Sequence, residues 1–328
     1  MLRYTAIYEN GLEARLENVL TAVLDCDMDV PADSLALTVP FDDNIRKNAR
    51  GICACKGDRL LFRGKLDTVM TIKRSSGVIM KLVARGPAAG LLDNEAEPVT
   101  YSNPSAALIE RRHLAPFGIT LADGDNIPLY DRLKIEKGMS HWQVARSFCR
   151  SRYGSELRIT GDGKAYFQKA PSGKKTVFSD ADGDVVYYDL SENIRRYRLI
   201  SEIKLKFKQA NTYSSSLKNT NPESSGVTRV RYLNAAADHT TLLTADKMLQ
   251  NSNRGSYELS LRCKGCHTDR LGCTAAVDDS MLGMLDGLIV RGVRYTMDRA
   301  GERSIITLEK ERYDVADELH NEKLTDIA

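Results

Sequence analysis

The sequence predicts an α+β chain, mainly β, in which two related β-domains flank or enclose a small α/β domain. Three observations lead there. Residues 60–86, LLFRGKLDTVMTIKRSSGVIMKLVARG, and residues 287–309, GLIVRGVRYTMDRAGERSIITLE, repeat one unit. In each, an apolar run closes on Arg-Gly (Arg63-Gly64, Arg291-Gly292) and a strand-like run follows. A polar turn with glycine (Lys73 to Gly77, Asp298 to Gly301) then leads to an apolar return strand. Between the two units lies a stretch with helix signals, and the last third returns to strict alternation.

In chain order, Leu35-Ala-Leu-Thr-Val39 alternates as a strand, and Pro40-Phe-Asp-Asp follows as a turn or loop. Arg59 to Arg85 is a long hairpin around Arg74-Ser-Ser-Gly77, rich in β-branched residues on both arms. The texture changes near Glu97-Pro98. Ser102-Asn-Pro104 starts a short helix that runs from Ser105 to Ala115. A second helix spans Ser140 to Tyr153. Ser140 and Gln143 form a capping box, Trp142, Ala145, Phe148 and Cys149 make one apolar face, and Gly154 ends it. Leu157-Arg-Ile159 and Ala165-Tyr-Phe167 then flank Gly161-Asp-Gly163 as a small hairpin, and Ala170 to Lys175 reads as a linker.

Ile203-Lys-Leu-Lys-Phe-Lys208 alternates apolar with basic, a half-buried strand with its lysines outward. Gln209 to Gly226 is a Ser/Asn/Thr-rich loop, and Val227 to Leu233 a strand. Thr240 to Asn251 is a helix ended by Asn253-Arg-Gly255, and Tyr257 to Leu261 alternates again before the repeated unit closes the domain. The expected divisions are 1–98, 99–172, 173–315 with a helix near 240–252, and a frayed tail at 316–328. Strands from 173–210 are candidates to complete the first domain.

The 328 residues carry 47 basic and 44 acidic side chains, a net charge of +3, with 42% hydrophobic and 28% charged residues. That balance lacks the concentrated Lys/Arg from which sequence-specific or wrapping nucleic-acid binding draws its affinity. No run approaches the roughly 18 apolar residues of a membrane span. The start, MLRYTAIYENGLEARLENVL, is charged at Arg3, Glu9, Glu13 and Arg15, without a signal peptide's apolar core. A soluble chain made in the cytoplasm, with its seven cysteines reduced, is the expectation.

Cys263-Lys-Gly-Cys266-His267 matches the C-x-x-C-H of c-type haem attachment. That chemistry needs an oxidising compartment, for which the chain shows no export signal. With Cys273 the cluster becomes a candidate zinc set. Structural zinc draws on two separated ligand pairs that pin two loops, whereas these four lie close together after a strand. Packed or exposed thiols are the plainer expectation. Cys53-Ala-Cys55 points its sulfurs to opposite faces of a strand. Asp180-Ala-Asp-Gly-Asp184 resembles the start of a calcium loop, but Ser191 stands where the loop's glutamate belongs, so a turn between strands is expected. Histidines 113, 141, 239, 267 and 320 are scattered, Ser214-Ser-Ser216 is loop composition, and Asp278-Asp279 is an adjacent pair without geometry. No phosphate loop, nucleophile elbow or dinucleotide fingerprint is present. No catalytic residue, cofactor or metal is expected.

The order of parts, with Leu61–Arg85, Met139–Gly154 and Gly287–Glu309 as the resembling stretches, is similar to that of a known family. It resembles the baseplate hub, or tail-tip, proteins of contractile-tailed phages and of PBSX-type prophage particles, within the late control protein D-like superfamily. The pattern V-R-Y…G-E-R…T-L from Val293 to Leu308 carries most of the likeness. The chain departs from many relatives just before it, where Cys273-Thr-Ala-Ala-Val-Asp-Asp-Ser-Met-Leu-Gly-Met replaces a glycine-bearing loop. The resemblance implies two tube-type β-barrel domains per subunit and a homotrimer that offers six barrel units in a ring. It implies tail tube proteins, a central spike protein and other baseplate proteins as partners. The location implied is the virion tail baseplate, assembled in the bacterial host cytoplasm. Two further readings follow from the same residues. One is a cell-wall carbohydrate-binding or peptidoglycan-degrading module at 99–172, with Trp142 and Tyr153 as its aromatic groups, against Trp142 as core. The other is a metal-binding protein built on Cys263, Cys266, His267 and Cys273.

Overall fold

The computed structural model describes residues 2–168, 174–206, 212–221, 224–234 and 239–310, with residues 239–244 as backbone only. The fold is mainly β, 48% strand and 20% helix. The chain forms two compact units. The first takes the described residues up to Lys174 with Arg262–Cys273 and Val290–Ile306; the second takes Lys175–Leu261, Thr274–Ile289 and the described residues from Thr307.

The first unit begins with seven strands: β1 (Arg3–Tyr8), β2 (Glu13–Arg15), β3 (Thr21–Asp27), β4 (Ser34–Pro40), β5 (Ala49–Lys56), β6 (Arg59–Arg74) and β7 (Gly77–Arg85). They pair in the order β3-β4-β7-β6-β5-β1-β2. Alternation dictates which side faces in. Along β3 and β4 every second residue is buried, so Ala22, Leu24, Leu35, Leu37 and Val39 meet Ile52, Phe62, Met80 and Leu82 in one core. A short helix, α1 (Asp43–Asn48), follows the expected turn at Pro40–Asp43, and Asp42 caps it through the N–H groups of Asn44 and Ile45. The hairpin of β6 and β7 turns at Arg74↔Gly77, and Gly77 takes a φ of 133° that favours glycine. Gly64 of the Arg-Gly signature is required by space: a Cβ there would lie 2.5 Å from the Arg85 carbonyl oxygen. β5 accompanies β6 only as far as Gly51↔Lys65, and a bulge follows between Leu66 and Thr68.

The segments that join this unit from late in the chain are 262–273 and 290–306, not the candidate strands at 173–210. The reason is pairing: Gly292–Met297 run antiparallel to β3, Gly292 against Asp27 and Met297 against Ala22. Tyr295 and Cys266 are thereby buried in the core of β1–β7.

The segment expected as a small α/β domain lies within the first unit and has its own core. It holds β8 (Thr100–Ser102), α3 (Ala106–Ile109) with a π turn and a 3₁₀ turn after it, β9 (Thr120–Leu121), β10 (Arg132–Lys134), α4 (His141–Tyr153), β11 (Arg158–Ile159) and β12 (Lys164–Tyr166), and its core also takes in α2 (Ala88–Asp93), which precedes the expected start at 99. In α4 the Ser140 hydroxyl accepts from Gln143 N–H and the Gln143 side chain accepts from Ser140 N–H, a reciprocal cap that stabilises the helix by about 1 kcal/mol. Gly154 closes α4 in the left-handed region, φ 68°. Trp142, Val144, Ala145, Phe148 and Cys149 pack against Leu91, Ile109, Leu133, Ile135 and Phe167. Residues 170–173 of the expected linker lie outside the described residues.

β13 (Thr176–Ser179), β14 (Val185–Ile194), β18 (Tyr257–Lys264), β19 (Thr274–Asp279), β20 (Gly283–Asp298) and β21 (Gly301–Lys310) form a closed six-stranded barrel, of which β13, β14, β19 and the residues 257–261, 283–289 and 307–310 belong to the second unit. The order is β19-β13-β14-β18-β21-β20, closed by β19 against β20. β19 and β20 thus form a hairpin, Thr274↔Ile289 to Asp279↔Gly283, over the stretch that follows Cys273. β20 gives its residues to Ile289 to this unit and those from Val290 to the first. Both repeated hairpins are built on 16-residue strands, β6 and β20, and Gly301 repeats the positive φ of Gly77 at 105°.

A small three-stranded sheet, β15 (Glu202–Lys206) between β16 (Ser215–Lys218) and β17 (Val230–Asn234), packs Ile203, Leu205 and Leu217 on Ala245 and Leu249 of α5 (His239–Ser256). β16 falls in the expected loop; residues 209–211 and 222–223 of that loop, and 207–208 at the end of the expected strand before it, lie outside the described residues. α5 also runs past its expected end, through Gly255. The buried Asn253 holds that last turn, accepting from Asn219 Nδ2 at 2.7 Å and donating to Asn219 Oδ1 at 3.1 Å.

Candidate functional site

Cys263, on β18, is fully buried, and burial pushes its thiol up to about 12, which opposes the thiolate that a metal would need. Cys266 is buried in the core of β1–β7, its Sγ 3.4 Å from Thr268 Oγ1. The His267 ring turns back on its own chain, Nε2 2.8 Å from the Lys264 carbonyl oxygen, and Cys273 is buried. Among the described residues no three His, Cys, Asp or Glu side chains converge as a metal-ligand set.

The Asp180–Asp184 turn joins β13 to β14 and uses its carboxylates as fasteners. Asp184 Oδ2 accepts from Val177 N–H at 2.9 Å, and Asp180 Oδ2 accepts from the Ser280 hydroxyl and N–H. Tyr187 donates to Asp279 Oδ2 at 2.5 Å and holds that carboxyl below its ordinary range. Trp142 is 9% exposed and belongs to the α4 core, so it offers no platform to a sugar. Tyr153 packs edge-on against Phe148 and donates to Asp125 Oδ1 at 3.2 Å.

One cluster left no mark in the sequence. His113, on the π turn after α3, places Nδ1 3.0 Å from Nδ1 of His141, the first residue of α4. Tyr101 Oη lies 3.3 Å from the far nitrogen of His113, and Phe117 stands edge-on to His141. Two facing nitrogens share one proton, and burial lowers both rings, His113 to about 4. Elsewhere, burial pushes the Asp33 carboxyl up to about 6 against the pull of Arg158. The hydroxyls of Tyr4 and Tyr295 are buried near each other in the core of β1–β7, and neither meets a well-aligned hydrogen-bond partner among the described residues. His239, His320 and the Ser214–Ser216 cluster add nothing: the His239 side chain and all of His320 lie outside the described residues, and Ser215 begins β16. Among the described residues, the polar groups named above are held in structural hydrogen bonds or buried in cores.

Taken together, the closed six-stranded barrel, the second β-domain and the α/β segment between them define the fold of bacteriophage tail proteins. The chain is similar to a tail protein from Neisseria meningitidis MC58 (TM-score 0.74, 17% identity) over 94% of this chain and 97% of that one. It is equally similar to the 43 kDa tail protein of prophage MuSo2 from Shewanella oneidensis (TM-score 0.74, 14% identity; 94% and 98% covered). A component of the Escherichia coli type VI secretion system, described as structurally similar to T4 bacteriophage tail proteins gp27 and gp5, matches at TM-score 0.54 and 8% identity. That match covers 90% of this chain and 74% of the other. No family model matches the sequence, and no curated protein does.

Proposed function

We propose that this chain is a structural baseplate hub protein of a contractile tail, in a phage or phage-like particle. In this reading three copies form a ring that joins a six-fold tail tube to a three-fold central spike. The observation that carries it is end-to-end likeness to two tail proteins, one of them from a prophage, with nearly the whole of each chain matched. The likeness to a protein compared with gp27 and gp5 points the same way. Two sheet domains per chain support it on physical grounds. A heterologous interface closes into a ring when its rotation allows, and a chain with two similar β-units lets three copies offer six near-equivalent surfaces.

The function is then mechanical and not catalytic. Its partners are copies of itself, tail tube proteins, the spike protein and other baseplate proteins, and its place is the virion tail baseplate after assembly in the bacterial cytoplasm. The test is the mass of the purified 36.5 kDa chain by light scattering, with negative-stain imaging. Three chains per particle and rings of three-fold symmetry are expected. A single-chain mass at high micromolar concentration would overturn the trimeric hub.

A further inference from the structure

His113 and His141 face each other through their Nδ1 atoms at 3.0 Å. The first stands on the π turn Glu110–Leu114 and is 3% exposed; the second opens α4. A gap of that length holds one proton, donated by one ring and accepted by the other. The outer nitrogen of His113 is engaged as well, by the Tyr101 hydroxyl. A charge on one ring still fits this arrangement. A charge on both sets an N–H against an N–H and two cations side by side.

The surroundings do not offset that second charge. Arg112 and the His141 ring both oppose a proton on His113, and burial opposes one on either ring. His141 also stands at the positive end of the α4 dipole. The carboxylates on the elements packed round the pair are engaged elsewhere. Glu110 Oε1 accepts from Leu121 N–H at 2.8 Å, Glu95 Oε1 accepts from Gly138 N–H at 2.6 Å, and Asp93 is held by Arg85. Beyond the far end of α4, Glu156 is held by Arg146 and Arg150. β8 contributes the Tyr101 phenol, and the 3₁₀ turn contributes the ring of Phe117.

The two sides of this contact are unequally firm. α4 is fixed by its reciprocal cap and by Trp142, Val144, Ala145 and Phe148 in the core. Its partner is a five-residue π turn followed by a 3₁₀ turn, two short and irregular pieces of helix.

We propose that the His113–His141 pair is an acid-sensitive joint. It holds residues 110–118 on α4 while the two rings share one proton, and it releases them when both rings are charged. The step is proton uptake alone. Once the segment opens, both rings are free to titrate at their ordinary value, so the open form binds more protons than the closed one. The joint is therefore shut at pH 7.5, and acid favours opening from about pH 6.5 downward. Each additional proton bound by the open form raises its population about tenfold per pH unit. This device is independent of the hub reading.

Amide exchange on the full chain, corrected for the intrinsic pH dependence of the chemistry, tests it. Opening of 110–118 should rise about tenfold per pH unit between pH 6.5 and 5, while the β6–β7 hairpin stays protected. The repulsion needs both rings, so His113→Gln and His141→Gln, each folded at pH 7.5, should each reduce the opening at pH 5 by about threefold or more. Ring-proton NMR of the wild type gives a second reading that needs no substitution: the two histidines should both reach full charge only as 110–118 opens. Four results overturn the joint. They are a segment still closed at pH 5, an acid step shared equally by the hairpin, a step of wild-type size in both folded variants, and two fully charged rings in the closed fold.

Discussion

His113 is buried against His141 and Tyr101, and its neutrality is a condition of the packing around α4. Its folded pKa, about 4, lies below the ordinary 6.5. A depressed folded value means the unfolded chain takes up the proton first. The stabilisation is therefore complete above pH 6.5 and is lost as the pH falls from there towards 4 and beyond. Urea unfolding of wild type should show a loss on the order of 2–3 kcal/mol across that window. His113→Gln should be less stable at pH 7.5 yet lack most of the decline. An identical slope in both would show that other groups control it. The same scale explains the Arg-Gly signature at Gly64: the residue is small because the Arg85 carbonyl leaves no room for a Cβ, so glycine there is a packing requirement.

Elements whose inward residues are apolar were legible, and those held by polar contacts were not. β4, the β6–β7 hairpin, α4 with its cap and glycine stop, and β18 all stand where alternation or 3.6-residue periodicity puts them. β16 was hidden because its inward residues are Ser215 and Leu217, and one leucine in a serine-rich stretch gives no period. α5 overran its expected stop because the residue anchoring its last turn is Asn253, whose grip on Asn219 has no hydropathic signal. Asn253→Ala should therefore cost about 1–3 kcal/mol in denaturant unfolding, since it strips buried amide partners. A loss below a few tenths would mean the helix end is held by its apolar face alone. The candidate site followed the same rule. Cysteine spacing drew attention to Cys263–Cys273, which the fold disperses by burial, while the pairing of His113 with His141 across 28 residues had no local trace.

At the scale of the whole molecule, the two units share a ribbon. Residues 292–297 of β20 complete the ladder beside β3, and 262–273 bring Cys266 into the same core. A fragment ending at Lys174 should consequently fail as an independent domain. It would leave β3 as an apolar-faced edge and the core without Tyr295. The expected result is aggregation, or dye-binding without sharp melting. A soluble fragment with a cooperative transition would show that the late segments merely decorate a self-sufficient fold.

The pairing of Asp27 with Gly292 also sets a clock on synthesis. A ribosome adds about 5–20 residues per second, so β3 emerges on the order of tens of seconds before its partner exists. Through that interval the nascent chain holds half a ladder. The order in which the protein is made thus runs against the order in which its first unit can close.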